Sequence, residues 1–273
     1  MINKHEKNEL ESLWNDSDYW KIIDKTEELL INDPLNTLYI NFNAISYLAV
    51  AFSVPDNSTS QLYISKAVLR IRKFLFLEND ANLRIYFYYL LGKAYFLKGD
   101  SYLDLSEKYL LYAYNKKYES ADIEQYLGLL YSKKKKYQDS NLFLEKAYSK
   151  LPSDMIKLAI SKNYFYMGDF NKALNSVDTV LTNNNKEAAI YWDALLLKGE
   201  ILYENKEYDN AKKIFDILIA NNKHNALAYY FVGEIAFASG NKIEARALWR
   251  KALKYDSDNH DIISRLKETD GGF

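Results

Sequence analysis

Apolar and polar positions alternate with a helical rhythm along most of the chain. The stretch Tyr229 to Ala252, YYFVGEIAFASGNKIEARALWRKA, shows it most completely. Apolar residues recur at steps of three and four, Gly240 interrupts the run, and Ala245, Trp249 and Ala252 resume it at steps of four and three. This predicts one helix, a tight turn and a second helix. Moving back 34 residues from Gly233 lands on Gly199, and the same steps then reach Tyr208, Ala211, Phe215 and Leu218. A period of that length built from two helices predicts a stack of helix pairs, each burying its apolar face on its neighbours.

Residues 1–17 are polar and read as a flexible N-terminal segment. Residues 18–31 place Tyr19, Ile22, Thr26 and Leu29 at the spacing of later second helices, and Pro34 falls where Pro152 falls later. They read as an unpaired capping helix, with an unrelated amphipathic helix as the alternative. Six repeats follow at approximately 37–84, 85–120, 121–153, 154–191, 192–225 and 226–259, then a closing helix at 260–268. One continuous array over 18–268 is expected.

The first repeat carries an interruption, Ser53 to Gln61 around Pro55, which lengthens the interval between its helices by 11 residues. It reads as a loop at one edge of the array, either a binding edge or neutral length drift. The third repeat turns through Lys133, Lys134, Lys135 and Lys136, which could touch phosphate or an acidic surface. The plainer reading is a solvated helix C-terminus. In the fourth repeat Ser161 stands where the others have glycine. Asn183, Asn184 and Asn185 then break the helix, and the next is expected from Glu187 to Tyr203. Gly271-Gly272-Phe273 reads as a frayed end.

Gly92, Gly128, Gly199 and Gly233 all fall inside predicted helices, where glycine costs roughly 1 kcal/mol relative to alanine. A cost repeated at one register points to helices crossing too closely for a side chain. Ala173, Ala211 and Ala245 are the expected matching small sites on the second helices.

These positions resemble the tetratricopeptide repeat family: a large residue, then Leu-Gly, Tyr, a turn, Ala, Phe and Ala, often followed by Pro. The pattern stands in YLGLLY (126–131) followed by Tyr137, Ser140, Leu144, Ala147 and Pro152, and in YLLGKAY (89–95). The resemblance implies an all-α fold, a right-handed superhelical solenoid of antiparallel helix pairs whose first helices line a concave groove. Carried onto this chain, the groove positions are Leu38, Asn41, Ile45 and Leu48, then Tyr86, Tyr89, Lys93 and Phe96, then Asp122, Gln125, Leu129 and Ser132. They continue with Met155, Leu158, Lys162 and Phe165, then Asp193, Leu196, Glu200 and Tyr203, then Leu227, Tyr230, Glu234 and Phe237. The expected partner-binding set is Tyr86, Tyr89, Lys93, Phe96, Leu129, Lys162, Phe165, Asp193, Glu200, Tyr203, Tyr230, Glu234 and Phe237. The aromatics among them either anchor a partner or stack between neighbouring first helices. Family members that grip a C-terminal carboxylate carry Lys and Asn one turn apart. The corresponding pairs here, Asn41 with Ile45 and Tyr89 with Lys93, lack that arrangement.

Composition narrows the function. The formal net charge is −1 over 273 residues, which argues against a general nucleic-acid binder. The chain has no cysteine and no apolar run of membrane-spanning length, so a cytoplasmic setting without membrane insertion is expected. Its three histidines, His5, His224 and His260, are dispersed, and no catalytic or phosphate-loop motif is present. The reading is a non-enzymatic interaction module, without cofactor or metal, for an unidentified protein or peptide. A self-associating homo-oligomeric scaffold and a regulatory subunit of an enzyme or secretion complex are the alternatives. The groove is expected to be electrically divided, with Lys93 and Lys162 central and Asp193, Glu200, Glu204 and Glu234 forming an acidic C-terminal stripe that either receives basic residues of the partner or is a solvated face that keeps the array soluble.

Overall fold

The computed structural model describes residues 4–182 and 188–270. Among these residues every regular element is a helix. Two compact units, Met1–Lys136 and Tyr137–Phe273, are each described by themselves. The first holds α1 (Lys4–Asn15), α2 (Tyr19–Asn32), α3 (Thr37–Ser53), α4 (Asn57–Leu77), α5 (Ala81–Lys98), α6 (Leu103–Asn115) and α7 (Ile123–Lys133). The second holds α8 (Tyr137–Lys150), α9 (Asp154–Tyr166), α10 (Phe170–Thr182), α11 (Ala189–Glu204), α12 (Tyr208–Asn221), α13 (Ala226–Ala238), α14 (Lys242–Tyr255) and α15 (His260–Asp270). The asparagine run 183–185, the expected helix start at Glu187 and the segment Gly271-Gly272-Phe273 lie outside the described residues.

Short polar side chains start the helices. Asn36, Asp80 and Asn225 accept backbone N–H groups at the starts of α3, α5 and α13. Asp18, Asp56 and Asn241 do so for α2, α4 and α14. Many turns share one C-terminal device. Ser17, Lys135, Gly168, Lys206 and Gly240 adopt φ of 56°, 59°, 76°, 63° and 86°. The next residue's N–H then reaches back to a carbonyl of the last turn: Asp18 to Leu13, Lys136 to Tyr131, Asp169 to Tyr164, Glu207 to Leu202 and Asn241 to Ala236, all at 2.8–3.0 Å. Lys206 takes this left-handed conformation with a Cβ, which costs about 1 kcal/mol. Lys206→Gly is therefore expected to raise the unfolding free energy by about 0.5–1 kcal/mol, read as a higher urea midpoint, part being lost to the greater freedom of glycine in the unfolded chain.

The same turn at Ser17 corrects the reading of the N-terminus. Residues 4–15 are helical rather than flexible, and Leu10 is fully buried. Trp14 packs edge-on against Tyr19 at 5.6 Å and Phe42 at 5.8 Å, while the Tyr39 hydroxyl donates to Glu6. The segment 18–31 is thus the second helix of a pair with α1, not an unpaired cap. Most polar residues of 4–15 face out, and three apolar ones, with Glu6 on Tyr39 and Glu9 on Lys25, dock the helix.

The interruption at Ser53–Gln61 is not a loop either. Helices α3 and α4 lengthen to 17 and 21 residues and absorb it, leaving only Val54, Pro55 and Asp56 between them. A half-buried polar network ties the long pair to α2. Arg70 donates to both oxygens of Glu27 at 2.8 and 2.9 Å and to Asn43 at 2.9 Å, and the Tyr47 hydroxyl donates to Glu27 at 2.8 Å. The four-lysine turn is partly engaged: Lys133 pairs with Asp100 at 2.9 Å, and Lys134 with Asp104 at 2.6 Å and with Glu107.

Gly92, Gly199 and Gly233 do mark close crossings, where the large residue of the second helix fills the gap, joined at Gly233 by the Ala245 carbonyl at 3.3 Å. A Cβ on Gly92 would lie 2.7 Å from Leu110, one on Gly199 2.7 Å from Phe215, and one on Gly233 2.6 Å from Trp249. Where Ser161 replaces glycine, its hydroxyl donates across the crossing to the Ala173 carbonyl at 2.8 Å.

Candidate partner-binding site

The expected set divides between the units. In the first, α5 carries Tyr86, Tyr89, Lys93 and Phe96, and the start of α7 brings Asp122 against them. The Lys93 ammonium donates to Asp122 at 2.8 Å and to the Tyr89 hydroxyl at 3.1 Å, and lies over the Tyr126 ring at 4.7 Å. Asp122 also accepts from Ser120 and from the Tyr89 hydroxyl. Burial works to raise the Asp122 carboxyl, but these bonds outweigh it and hold it below the usual carboxylate range. Burial, reinforced by Asp122, pushes the Tyr89 hydroxyl well above its ordinary value, and burial lifts Tyr86 to about 12. Tyr89 is buried, Tyr86 lies against Tyr89 and Tyr118 at 6.4 and 6.0 Å, and Phe96 packs edge-on to Tyr126 at 5.4 Å. Leu129 is half-buried. The expected positive point at Lys93 is therefore neutralised within the fold, because its nearest carboxylate lies one repeat ahead. This corrects the divided-charge reading in this unit.

In the second unit α11 presents Asp193, Glu200 and Glu204 on one face, at steps of seven and four. Asp193 and Glu204 are exposed, and Glu200 is half-buried. Glu200 has no hydrogen-bond or ion-pair partner among the described residues. Burial raises its carboxyl above the usual range; the exposed Lys162 draws it down through space, and Glu204 pushes it further up. Asp193 edges a cleft of about 290 Å³ formed with Ala189, Trp192, Leu196, Leu218 and Asn222.

Glu234 is different. It is 4% exposed and accepts from Arg265 of α15 at 2.7 Å. Burial still leaves its carboxyl raised, with Arg265 opposing. The acidic stripe therefore does not continue openly from Glu200 to Glu234, because α15 supplies a cation that the sequence reading missed. The guanidinium also lies 5.9 Å from the Phe237 ring. The signal available was a lone arginine among Ile262, Ile263 and Leu266 in the register of a further first helix. Tyr203 lies against Phe231 at 5.3 Å, Tyr230 against Phe231 at 5.3 Å, Phe237 against Trp249 at 5.5 Å and Phe165 against Phe170 at 6.2 Å. Each ring thus has an aromatic neighbour within the unit, with Tyr203 and Tyr230 half-buried beside the carboxylates.

Glu200 bears directly on stability. A carboxyl raised in the folded state penalises folding wherever it is ionised there, and the penalty disappears below the ordinary carboxylate pKa. Glu200→Gln is expected to raise the melting temperature near pH 7, with the gain fading below about pH 4. Thermal melts across that range check it.

Among the described residues no group of three or more His, Asp or Glu is placed to hold a metal ion, and no helix is long and apolar enough to cross a membrane. A sequence profile of the tetratricopeptide repeat matches residues 158–216 and 207–261. The TPR repeat-containing protein MJ1428 of Methanocaldococcus jannaschii is 26% identical over 196 residues, which is 66% of this chain and 33% of that protein. The chain thus spans about a third of that relative's length. The C-terminal part of a TPR repeat-containing protein from Cytophaga hutchinsonii has a similar fold, with a TM-score of 0.65 at 16% identity, covering 95% of this chain and 99% of that one. A chain in the crystal structure of the APC/C hetero-tetramer Cut9–Hcn1 matches with a TM-score of 0.62 at 14% identity, covering 98% of this chain and 49% of that one. With its repeating helix pairs, shared turn geometry and glycine crossings, the chain has the fold of a tetratricopeptide repeat solenoid, with residues 158–261 matching that family's model, and this fold generally mediates protein–protein interaction or scaffolding.

Proposed function

We propose that the chain is a non-enzymatic protein-interaction module whose C-terminal unit holds an extended peptide bearing basic residues on the carboxylate face of α11. The observation that carries this is Glu200, a half-buried carboxylate with no partner among the described residues. Holding such a charge out of water costs stability unless a cation meets it, and a partner's arginine or lysine would do so. Asp193 lies two turns away on the same face, about 10 Å along the helix axis. A peptide in the polyproline II conformation covers that distance in about three residues and brings the third side chain back to the same face. The preferred ligand therefore carries basic residues at i and i+3, one over Glu200 and one entering the cleft at Asp193. Tyr203 and Trp192 offer rings on which the apolar residues between them rest.

The test is fluorescence anisotropy with a labelled decapeptide containing Arg-Ala-Leu-Arg, against an isomer with its arginines adjacent. The spaced peptide is expected to bind more tightly. Glu200→Gln is expected to weaken it about five- to tenfold and to flatten its salt dependence. Equal affinity for both peptides, with no effect of Glu200→Gln, would reject this site.

A further inference from the structure

Helix α4 is out of scale with its counterparts. It runs to 21 residues, whereas α2, α6, α8, α10, α12 and α14 have 13 or 14. Its inner face buries Ile64, Ala67, Val68, Ile71, Phe74 and Leu75. Its outer face carries a second apolar line: Leu62 is 54% exposed, Leu69 65% and Phe76 87%. Helix pairs precede and follow α4 in this unit, so the line is not left bare by an unfinished stack.

Charge marks the same face. Helix α4 has Lys66, Arg70, Arg72 and Lys73 and no acidic residue. Arg70 is engaged with Glu27. Lys66 lies over the rings of Tyr47 and Tyr63, and Arg72 over Tyr95. None of Lys66, Arg72 and Lys73 has a carboxylate partner among the described residues.

The geometry points to α4 as a docking surface for an acidic amphipathic helix of a protein partner. Leu62, Leu69 and Phe76 recur every seven residues, so they form a single file of knobs that drifts only about 20° per step. A file one residue wide fits the holes of a facing helix, as along a coiled-coil seam. A membrane surface is better served by a broad apolar face. The bases beside the file sit where flanking seam positions take partners of opposite charge, so the docked helix is acidic on its flanks. The site is on the first unit and stands or falls independently of the Glu200 proposal.

The probe is a synthetic peptide of the same length as α4, 21 residues, with leucine at the two seam positions of each heptad and glutamate beside them. Its own glutamates disfavour pairing with itself. The full chain is expected to bind it and not the matching lysine peptide. Leu69→Ser with Phe76→Ser is expected to abolish binding, and Lys66→Glu with Lys73→Glu to weaken it at least about tenfold at low salt. Leu69 and Phe76 are exposed, so their double variant should leave the melting midpoint unchanged, while the lysine pair is assayed well below its own midpoint because Lys66 also lies over Tyr47 and Tyr63; Ile243→Ser, at a 76% exposed site in the other unit, should leave binding unchanged. Three outcomes overturn the proposal. The acidic peptide fails to bind; vesicles containing phosphatidylserine bind instead and lose binding in the same variants; or the parent self-associates through these residues.

Discussion

Gly233→Leu is expected to lose on the order of 3 kcal/mol or more of stability. Any Cβ at this position would fall 2.6 Å from Cδ1 and Nε1 of Trp249 and 3.3 Å from the Ala245 carbonyl oxygen. The indole cannot retreat. It is fully buried among Tyr229, Ala236, Ala245, Ala252 and Ile262, with the Phe237 ring 5.5 Å away. Gly233→Ala already meets the ring and should cost about 1–3 kcal/mol. Gly240, seven residues on, has open space around it but a φ of 86°, so Gly240→Ala should cost only the left-handed penalty, about 1 kcal/mol. Gly99, with φ of 109° and open space around it, carries the same left-handed constraint. Urea melts of the three variants should place Gly233→Leu lowest and Gly240→Ala highest. A Gly233→Leu midpoint equal to the parent's would contradict the crossing.

Arg265→Met should cost about 2–3 kcal/mol near pH 7. Without the guanidinium, the Glu234 carboxylate is left 4% exposed beside a thioether. It would escape by taking up a proton, and this sets the limit. Protonating a carboxyl of ordinary pKa 4.5 at pH 7 costs about 3 kcal/mol. The Glu234 carboxyl is already raised in the folded state and would rise further. A raised folded-state carboxyl favours the native state below its pKa and loses that advantage as pH climbs through it. The deficit of the variant should therefore be full near neutrality and small below about pH 4.5. A pH-independent deficit would mean that Arg265 acts through packing alone.

The repeat and its turns were legible because packing enforces them at one register. Gly199 with Phe215 and Gly233 with Trp249 are the same crossing one period apart, and the period alone exposes them. The small sites at 92, 199 and 233 were read correctly, but spacing did not say that the large residue of the second helix, as well as the alanine, faces the gap. The first helix was hidden by composition. Between Lys4 and Asn15 only Leu10, Leu13 and Trp14 are apolar, and Leu10 does the burying that glycine registers do elsewhere. The insertion around Pro55 looked like a loop because turn-forming residues cluster there; instead Asp56 caps a longer helix.

The candidate site was legible in position more than in state. The period placed Lys93, Glu200 and Glu234 on first helices. It could not say that Asp122 would neutralise Lys93 or that Arg265 would neutralise Glu234. Those pairs join neighbouring repeats and depend on how far one helix is rotated against the next. Glu200 stayed unpaired because the nearest cation, Lys162, is exposed and acts on it only through space.

The most direct test of the interaction-module account is to follow the Glu200 side-chain carboxyl by carbon-detected NMR through a pH titration, alone and with the Arg-Ala-Leu-Arg peptide. The account predicts that the carboxyl titrates above the ordinary carboxylate value in the free chain. It should fall below that value once the peptide's arginine is in place. A bound peptide that leaves the Glu200 titration unchanged would contradict it.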